Sequence, residues 1–211
     1  MKKFELTNEF VTNMFGTKLF RIRALVEFGD VEAGELGGYV EKESNLGHDD
    51  NAWVYGDARV YDNALVYDNA RVYGDAQVSG DARVYDNARV YGDAWVYGDA
   101  WVYGNARVYD NARVYGDAWV YGNARVCGDA LVCGDARVCG NGDYAYAHGF
   151  GSVNRTTTFF RLKDGGVGVR CGCFYGTLAQ FRDKIRETHG ETKKAQEYLM
   201  LADLMKLRFE K

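Results

Sequence analysis

The sequence predicts an all-β solenoid of parallel strands, a rod of about five coils closed by a cap at each end. Three observations predict it. A six-residue unit of Gly/Asp, Asp/Asn, Ala, any residue, Val and Tyr runs without interruption from Asn51 to Cys139 in fifteen copies, with Ala recurring from Ala52 to Ala136 and Val from Val54 to Val138. A second period of 18 residues lies over the first: Asn51, Asn69, Asn87, Asn105, Asn123 and Asn141 share one corner position, while the other two corners are mostly Asp. Stacked parallel coils also leave open strand edges at both ends, and residues 1–50 and 142–211 lie outside the repeat to cover them.

Within each unit, Ala and Val are two residues apart and share one face of a short strand, while the variable residue and Tyr share the other. Ala and Val are the inward pair. The Gly/Asp and Asp/Asn pair supplies the corner, because these residues tolerate left-handed backbone and bond to nearby backbone groups. Period 6 therefore gives a strand and a corner, and period 18 gives the coil. Asn side chains in register are expected to form a ladder. Five coils at a strand spacing of ~4.8 Å make a rod on the order of 24 Å long.

Three domains follow: a cap with lead-in strands over residues 1–50, the repeat over 51–141, and an α+β cap over 142–211. In the first, TKLFRIRALVEF alternates like a strand before a turn at Gly29 and Asp30 and a glycine-rich stretch through Gly37 and Gly38. In the last, GNGDYAYAHGFGSVNR reads as an irregular connection, and TTTFFRL and VGVRCGCF flank KDGG as a β-hairpin. Thr177 and Gln180 form a capping box for one helix that ends at Gly190, and Ala195, Tyr198, Leu199, Ala202, Met205 and Phe209 mark the buried stripe of another.

Composition sets further expectations. The absence of proline, of an 18-residue apolar run and of a basic-then-apolar leader points to a cytoplasmic protein with no membrane association. Five cysteines, an odd number, are expected to be reduced. A net charge of -4 argues against general nucleic-acid binding. No metal or cofactor is expected: Cys171 and Cys173 point to one side of a strand, yet two ligands do not make a zinc site. Cys127, Cys133 and Cys139 replace Tyr in the last coil, which is where the cap is expected to pack.

The six-residue repeat resembles the hexapeptide family of left-handed parallel β-helices, in which three hexapeptides make a triangular coil. The run RIRALVEFGDVEAGELGGYVEKESNLGHDDNAWVYGDA, residues 21–58, resembles the lead-in of hexapeptide-repeat proteins of bacterial phages and prophages, and is similar in layout to YdcK, a protein assigned as an acyltransferase. The tail motifs TTTFF, CGCF, GTL and THG are similar to those of the phage-associated members. The resemblance implies the left-handed coil and raises acyl transfer. Acyltransferases of this family use a histidine base and an extruded loop, and the array has neither: the histidines are His48, His148 and His189, all outside it. Fold likeness does not establish chemistry.

The outer surface carries eleven tyrosines, four tryptophans and eight arginines between Asn51 and Asn141, and no lysine. Guanidinium groups stack on aromatic rings and present flat donor forks, which points to ligand or partner recognition. Sorted by coil phase, the first face carries Trp53, Arg71, Arg89, Arg107 and Arg125, and the third carries Leu65, Arg83, Trp101, Trp119 and Arg137; both border the Asn corner. That edge is predicted to form an oligomer seam or to receive an anionic aromatic ligand through Arg89, Arg107, Arg125, Trp101 and Trp119. A second candidate is the exit loop, where His148, Ser152, Asn154, Arg155, Thr156 and Thr158 offer a ring nitrogen, hydroxyls and a phosphate fork. The expected function is a non-catalytic, homo-oligomeric protein, a trimer first, that sequesters a small anionic, nucleotide-like ligand or a host protein in an accessory or anti-defence role. The alternatives are a structural assembly module with Tyr-rich packing faces and a divergent hexapeptide acyltransferase.

Overall fold

A computed structural model describes residues 2–151 and 153–210. The repeat forms fifteen two-residue strands, from β4 (Trp53–Val54) to β18 (Arg137–Val138), each consisting of the variable residue and the Val of one unit. They are dealt in turn to three parallel sheets, so each strand pairs with those 18 residues before and after it: Arg89 lies in register with Arg71 and Arg107, and Trp101 with Arg83 and Trp119. The chain is a parallel β-solenoid, as the two superimposed periods require. Every Ala and Val of the array is buried, and they fill the interior as one continuous core.

The corners follow the same chemistry. After Asp50 of the first unit, the first corner residue has positive φ, Gly in most units and Asp62, Asp68, Asp86 and Asp110 in the others. Each of these Asp carboxylates accepts a hydrogen bond from the backbone N–H of the corner one coil on, Asp62 from Gly80 at 3.1 Å and Asp110 from Gly128 at 3.2 Å among them. The side-chain bond offsets the strain of a left-handed Asp. On the Asn corner, Asn51 donates to Asn69 at 2.9 Å and Asn105 to Asn123 at 3.4 Å, so the expected ladder is present in part, and on the other two corners Asn63 donates to Asp81 at 3.2 Å and Asn111 to Asp129 at 3.1 Å.

The lead-in adds β1 (Phe4–Thr12), β2 (Lys18–Ala24) and β3 (Leu36–Val40), with β3 parallel to the strand Arg59–Val60. The rod thus begins one partial coil before the first complete unit. Gly37 and Gly38 permit that junction, since a Cβ on Gly37 would sit 2.6 Å from Val54 O and one on Gly38 2.6 Å from Ala58 O. Asn45 and Lys3 close the open carbonyl edge: Asn45 Nδ2 donates to Asp62 O and Ala64 O at 3.1 and 2.9 Å, and Lys3 Nζ to Asp50 O and Ala52 O, both at 2.9 Å. Trp53 departs from the outward position expected of it. It is fully buried beneath Phe4 and Phe28, with ring centroids 6.1 and 5.3 Å away, because the cap folds over the first coil.

The C-terminal cap also differs from the expected hairpin. It is a four-stranded antiparallel sheet of β19 (Tyr144–Phe150), β20 (Arg155–Arg161), β21 (Val167–Cys171) and β22 (Phe174–Thr177), followed by α1 (Leu178–His189) and α2 (Lys193–Phe209). The segment that reads as irregular is a strand, because Tyr144 to Ala147 pair with Thr157 to Phe160. Thr177 and Gln180 cap α1 reciprocally and Gly190 ends it. The cap docks by satisfying the last coil: the Thr158 hydroxyl accepts from Leu131 N at 2.9 Å, Lys163 N donates to Asp135 O at 3.0 Å, and the Tyr144 hydroxyl donates to Arg125 O at 2.5 Å.

Candidate functional site

Because outward residues stack in register every coil, the rod surface is made of columns. Tyr67, Tyr85, Tyr103 and Tyr121 form one, with successive centroids 4.9, 4.9 and 5.2 Å apart and rings within 7° of parallel. Tyr73, Tyr91 and Tyr109 form another at 4.8 and 4.9 Å. On the third face, Arg83, Trp101, Trp119 and Arg137 make a mixed column: Arg83 lies 5.0 Å from the Trp101 ring, the two indoles are 5.0 Å apart, and Arg137 lies 4.2 Å from Trp119. Both faces of each indole are therefore covered by protein. A ligand cannot stack on Trp101 or Trp119, and Asp81, Asp99, Asp117 and Asp135 line the groove beside them.

The columns end at the cap, and there the stacking faces open. Tyr is followed by Cys139 in the Tyr121 column, and no further coil follows Arg137. A cavity of about 630 Å³ lies against this end, lined by Tyr121, Arg137, Cys139, Arg161, Lys163 and Phe209, together with Asp143. The arginines are held in place. Arg137 Nη1 donates to Asp117 O and Ala136 O, each at 2.8 Å. Arg161 donates to Gly165 O at 3.0 Å and Phe209 O at 2.9 Å, its guanidinium 5.1 Å from the Phe209 ring. Asp143 is spent on the turn, accepting from Cys139 N and Gly140 N at 3.0 Å each. Among the described residues, Arg137, Arg161 and Lys163 form no ion pair with a carboxylate. Three cations and the ends of two stacked columns thus face one cavity, an arrangement that suits a planar ring carrying negative charge.

The exit-loop residues are brought together elsewhere. His148, Asn154, Arg155 and Thr156 line a cavity of about 320 Å³ with Arg113 and Asp129. His148 Nδ1 is 2.9 Å from the Thr156 hydroxyl and 3.9 Å from Asp129 Oδ2. Thr158 is fully buried and its hydroxyl is committed to Leu131 N, so it lies outside this lining. Ser152 lies outside the described residues. Arg89, Arg107 and Arg125 are in register on the first face, around the Asn corner from Trp101 and Trp119, and do not line the groove beside those two indoles. His48 stacks on Phe4 at 4.5 Å and accepts from Lys3 N at 3.2 Å, within the first cap.

Sequence reasoning passed over Tyr121, Arg161, Lys163 and Phe209 as ligand contacts. Arg161 and Lys163 come from the cap and meet Arg137 only through docking. The signal that could have found the site is Cys139. Of the three cysteines that replace Tyr, Cys127 lies 3.7 Å from the Tyr144 hydroxyl and Cys133 is buried, as cap packing requires, but Cys139 is exposed and opens onto the cavity. Among the described residues, no three His, Cys, Asp or Glu side chains are placed to hold a metal ion, and no helix is long and apolar enough to cross a membrane.

Fold and surface define a capped β-solenoid repeat protein. Residues 52–67, 58–74, 64–80, 76–92, 82–98, 88–104, 100–116, 106–122 and 118–134 match the family model described as YdcK Beta solenoid repeat, so the rod is similar to that repeat. The matched segments end before either cap. Comparison with curated proteins gives no match to the chain.

Proposed function

We propose that this protein is a non-catalytic binding protein that captures a small anionic aromatic ligand, nucleotide-like in chemistry, in the cleft where the third face of the rod meets the C-terminal cap. One observation carries the reading: Arg137 and Tyr121 are the terminal planes of stacked columns, and Arg161 and Lys163 stand beside them with no carboxylate partner among the described residues. A base would continue a column as its next plane, and its phosphates would meet the two cap cations. The cleft takes over the role expected of the edge formed by Arg89, Arg107, Arg125, Trp101 and Trp119. The likeness of the lead-in and tail to phage-associated proteins supports an accessory or anti-defence role in the host cytoplasm.

Calorimetric titration with ADP tests the reading. Arg161→Glu and Lys163→Glu are each expected to weaken binding by about tenfold or more, since each removes a charge-assisted contact and adds repulsion. Arg89→Glu should leave the affinity unchanged. Equal affinity in all three variants would refute the assignment.

A second reading, an assembly module, is favoured by α2, which exposes Met200, Leu204 and Leu207 at helical spacing on the side away from its buried stripe. Sedimentation of the wild type against Leu204→Glu decides it. A self-associating face would give an oligomer that the charge dissociates.

A further inference from the structure

A third cavity at the C-terminal cap holds two thiols. Cys171 pairs with Phe174 across β21 and β22, which leaves Gly172 and Cys173 as the two residues of a tight turn. Gly172 has φ +58°, and a Cβ there would fall 2.0 Å from Arg155 Nη1, so the Arg155 guanidinium packs directly on the turn between the cysteines. Both thiols line a cavity of about 220 Å³ with Arg155, Lys184, His189 and Tyr198. Cys173 is exposed and Cys171 half-buried. The Thr157 hydroxyl donates to Cys171 Sγ at 3.2 Å.

We propose that Cys171 and Cys173 are a reactive dithiol that exchanges with small anionic disulfides. Residues two apart across a tight turn fall within the Cα separation that a disulfide bridges, and the guanidinium packed on the turn offers an anionic disulfide a charged partner beside both sulfurs. The cationic lining of Arg155 and Lys184, the latter paired to Glu187 at its outer end, draws a disulfide bearing carboxylates. Cys173, the accessible sulfur, attacks one sulfur of glutathione disulfide as thiolate. The S–S bond breaks, a mixed disulfide forms on Cys173, and one glutathione leaves as thiolate and takes a proton from solvent. Cys171 then gives its proton to solvent and attacks Cys173 Sγ, expelling the second glutathione. Two cysteine thiols are oxidised to one disulfide, and glutathione disulfide is reduced to two thiols.

Trypsin cleaves after Arg170 and Arg182 and so places both cysteines in one peptide, with Cys139 in another as an exposed internal reference. On exposure of the folded protein to glutathione disulfide, the 171–182 peptide is expected to lose two hydrogens and carry no glutathione, whereas a lone thiol such as Cys139 can only gain one glutathione. Cys171→Ser should trap one glutathione on Cys173. Lys184→Glu should slow the reaction with glutathione disulfide and leave that with neutral hydroxyethyl disulfide unchanged. A peptide that stays reduced, one that keeps glutathione in the wild type, or a Cys171→Ser variant that traps no glutathione overturns the proposal.

Discussion

At the residue scale, the corner aspartates show how a repeat accommodates two residue types at one strained position. Gly is free at positive φ, whereas Asp62, Asp68, Asp86 and Asp110 are held there by the carboxylate bond to the next coil. Asp110→Ala loses the bond and keeps the strain, and is expected to lower stability by about 1–2 kcal/mol; Asp110→Gly should be close to neutral in the same denaturant titration. Lys3 poses a different problem. It is buried, and burial pulls its ammonium down to about pKa 8, against the opposing attraction of Asp50 and Asp49. The unfolded chain binds this proton more tightly than the folded one, so the group's contribution to stability rises as pH rises from about 8 to the ordinary lysine value of 10.5. The stability gap between wild type and Lys3→Met should therefore widen between pH 7.5 and pH 10. A constant gap would show that the proton is held equally in both states.

At the scale of elements, the last coil is where the cap is keyed to the rod. Thr158→Val strands the buried Leu131 N–H and is expected to cost about 1–3 kcal/mol in denaturant titration. Cys127→Tyr restores the repeat but drives a ring into the space that Tyr144 occupies, and should destabilise the fold. These contacts explain what could be read in advance. The coil was legible because every Ala, Val and corner Asn repeats its instruction, and the capping box and buried stripe made both helices legible. Strand β19 was not, since Tyr144 to Ala147 sit among glycines and polar residues and become a strand only by pairing with β20. Of the exit-loop group, His148, Asn154, Arg155 and Thr156 were legible as a cluster, whereas Arg161 and Lys163 meet Arg137 through tertiary docking that no local pattern encodes.

For the whole molecule, stacking couples stability to the protonation of the tyrosines. Burial, then the neighbouring Tyr67 and Tyr103, pushes the Tyr85 phenol up to about 12, and burial does the same for Tyr55; for Tyr109 the hydrogen bond to Cys127 leads, followed by burial. A raised pKa in the folded state means stability that is fully present below the unfolded value of 10 and lost as pH climbs through about 12. In denaturant titration a Tyr85→Phe variant should accordingly lose less stability than the wild type as pH climbs from 10 to about 12; an equal loss would deny the coupling. The same columns carry the proposed function, because a column that stops leaves a face for a ligand. Cys139→Tyr tests this most directly. It adds the missing plane beneath Tyr121 and fills the cleft, so titration with ADP should show binding abolished while the melting temperature stays level or rises. Unchanged affinity in a folded Cys139→Tyr protein would contradict the account.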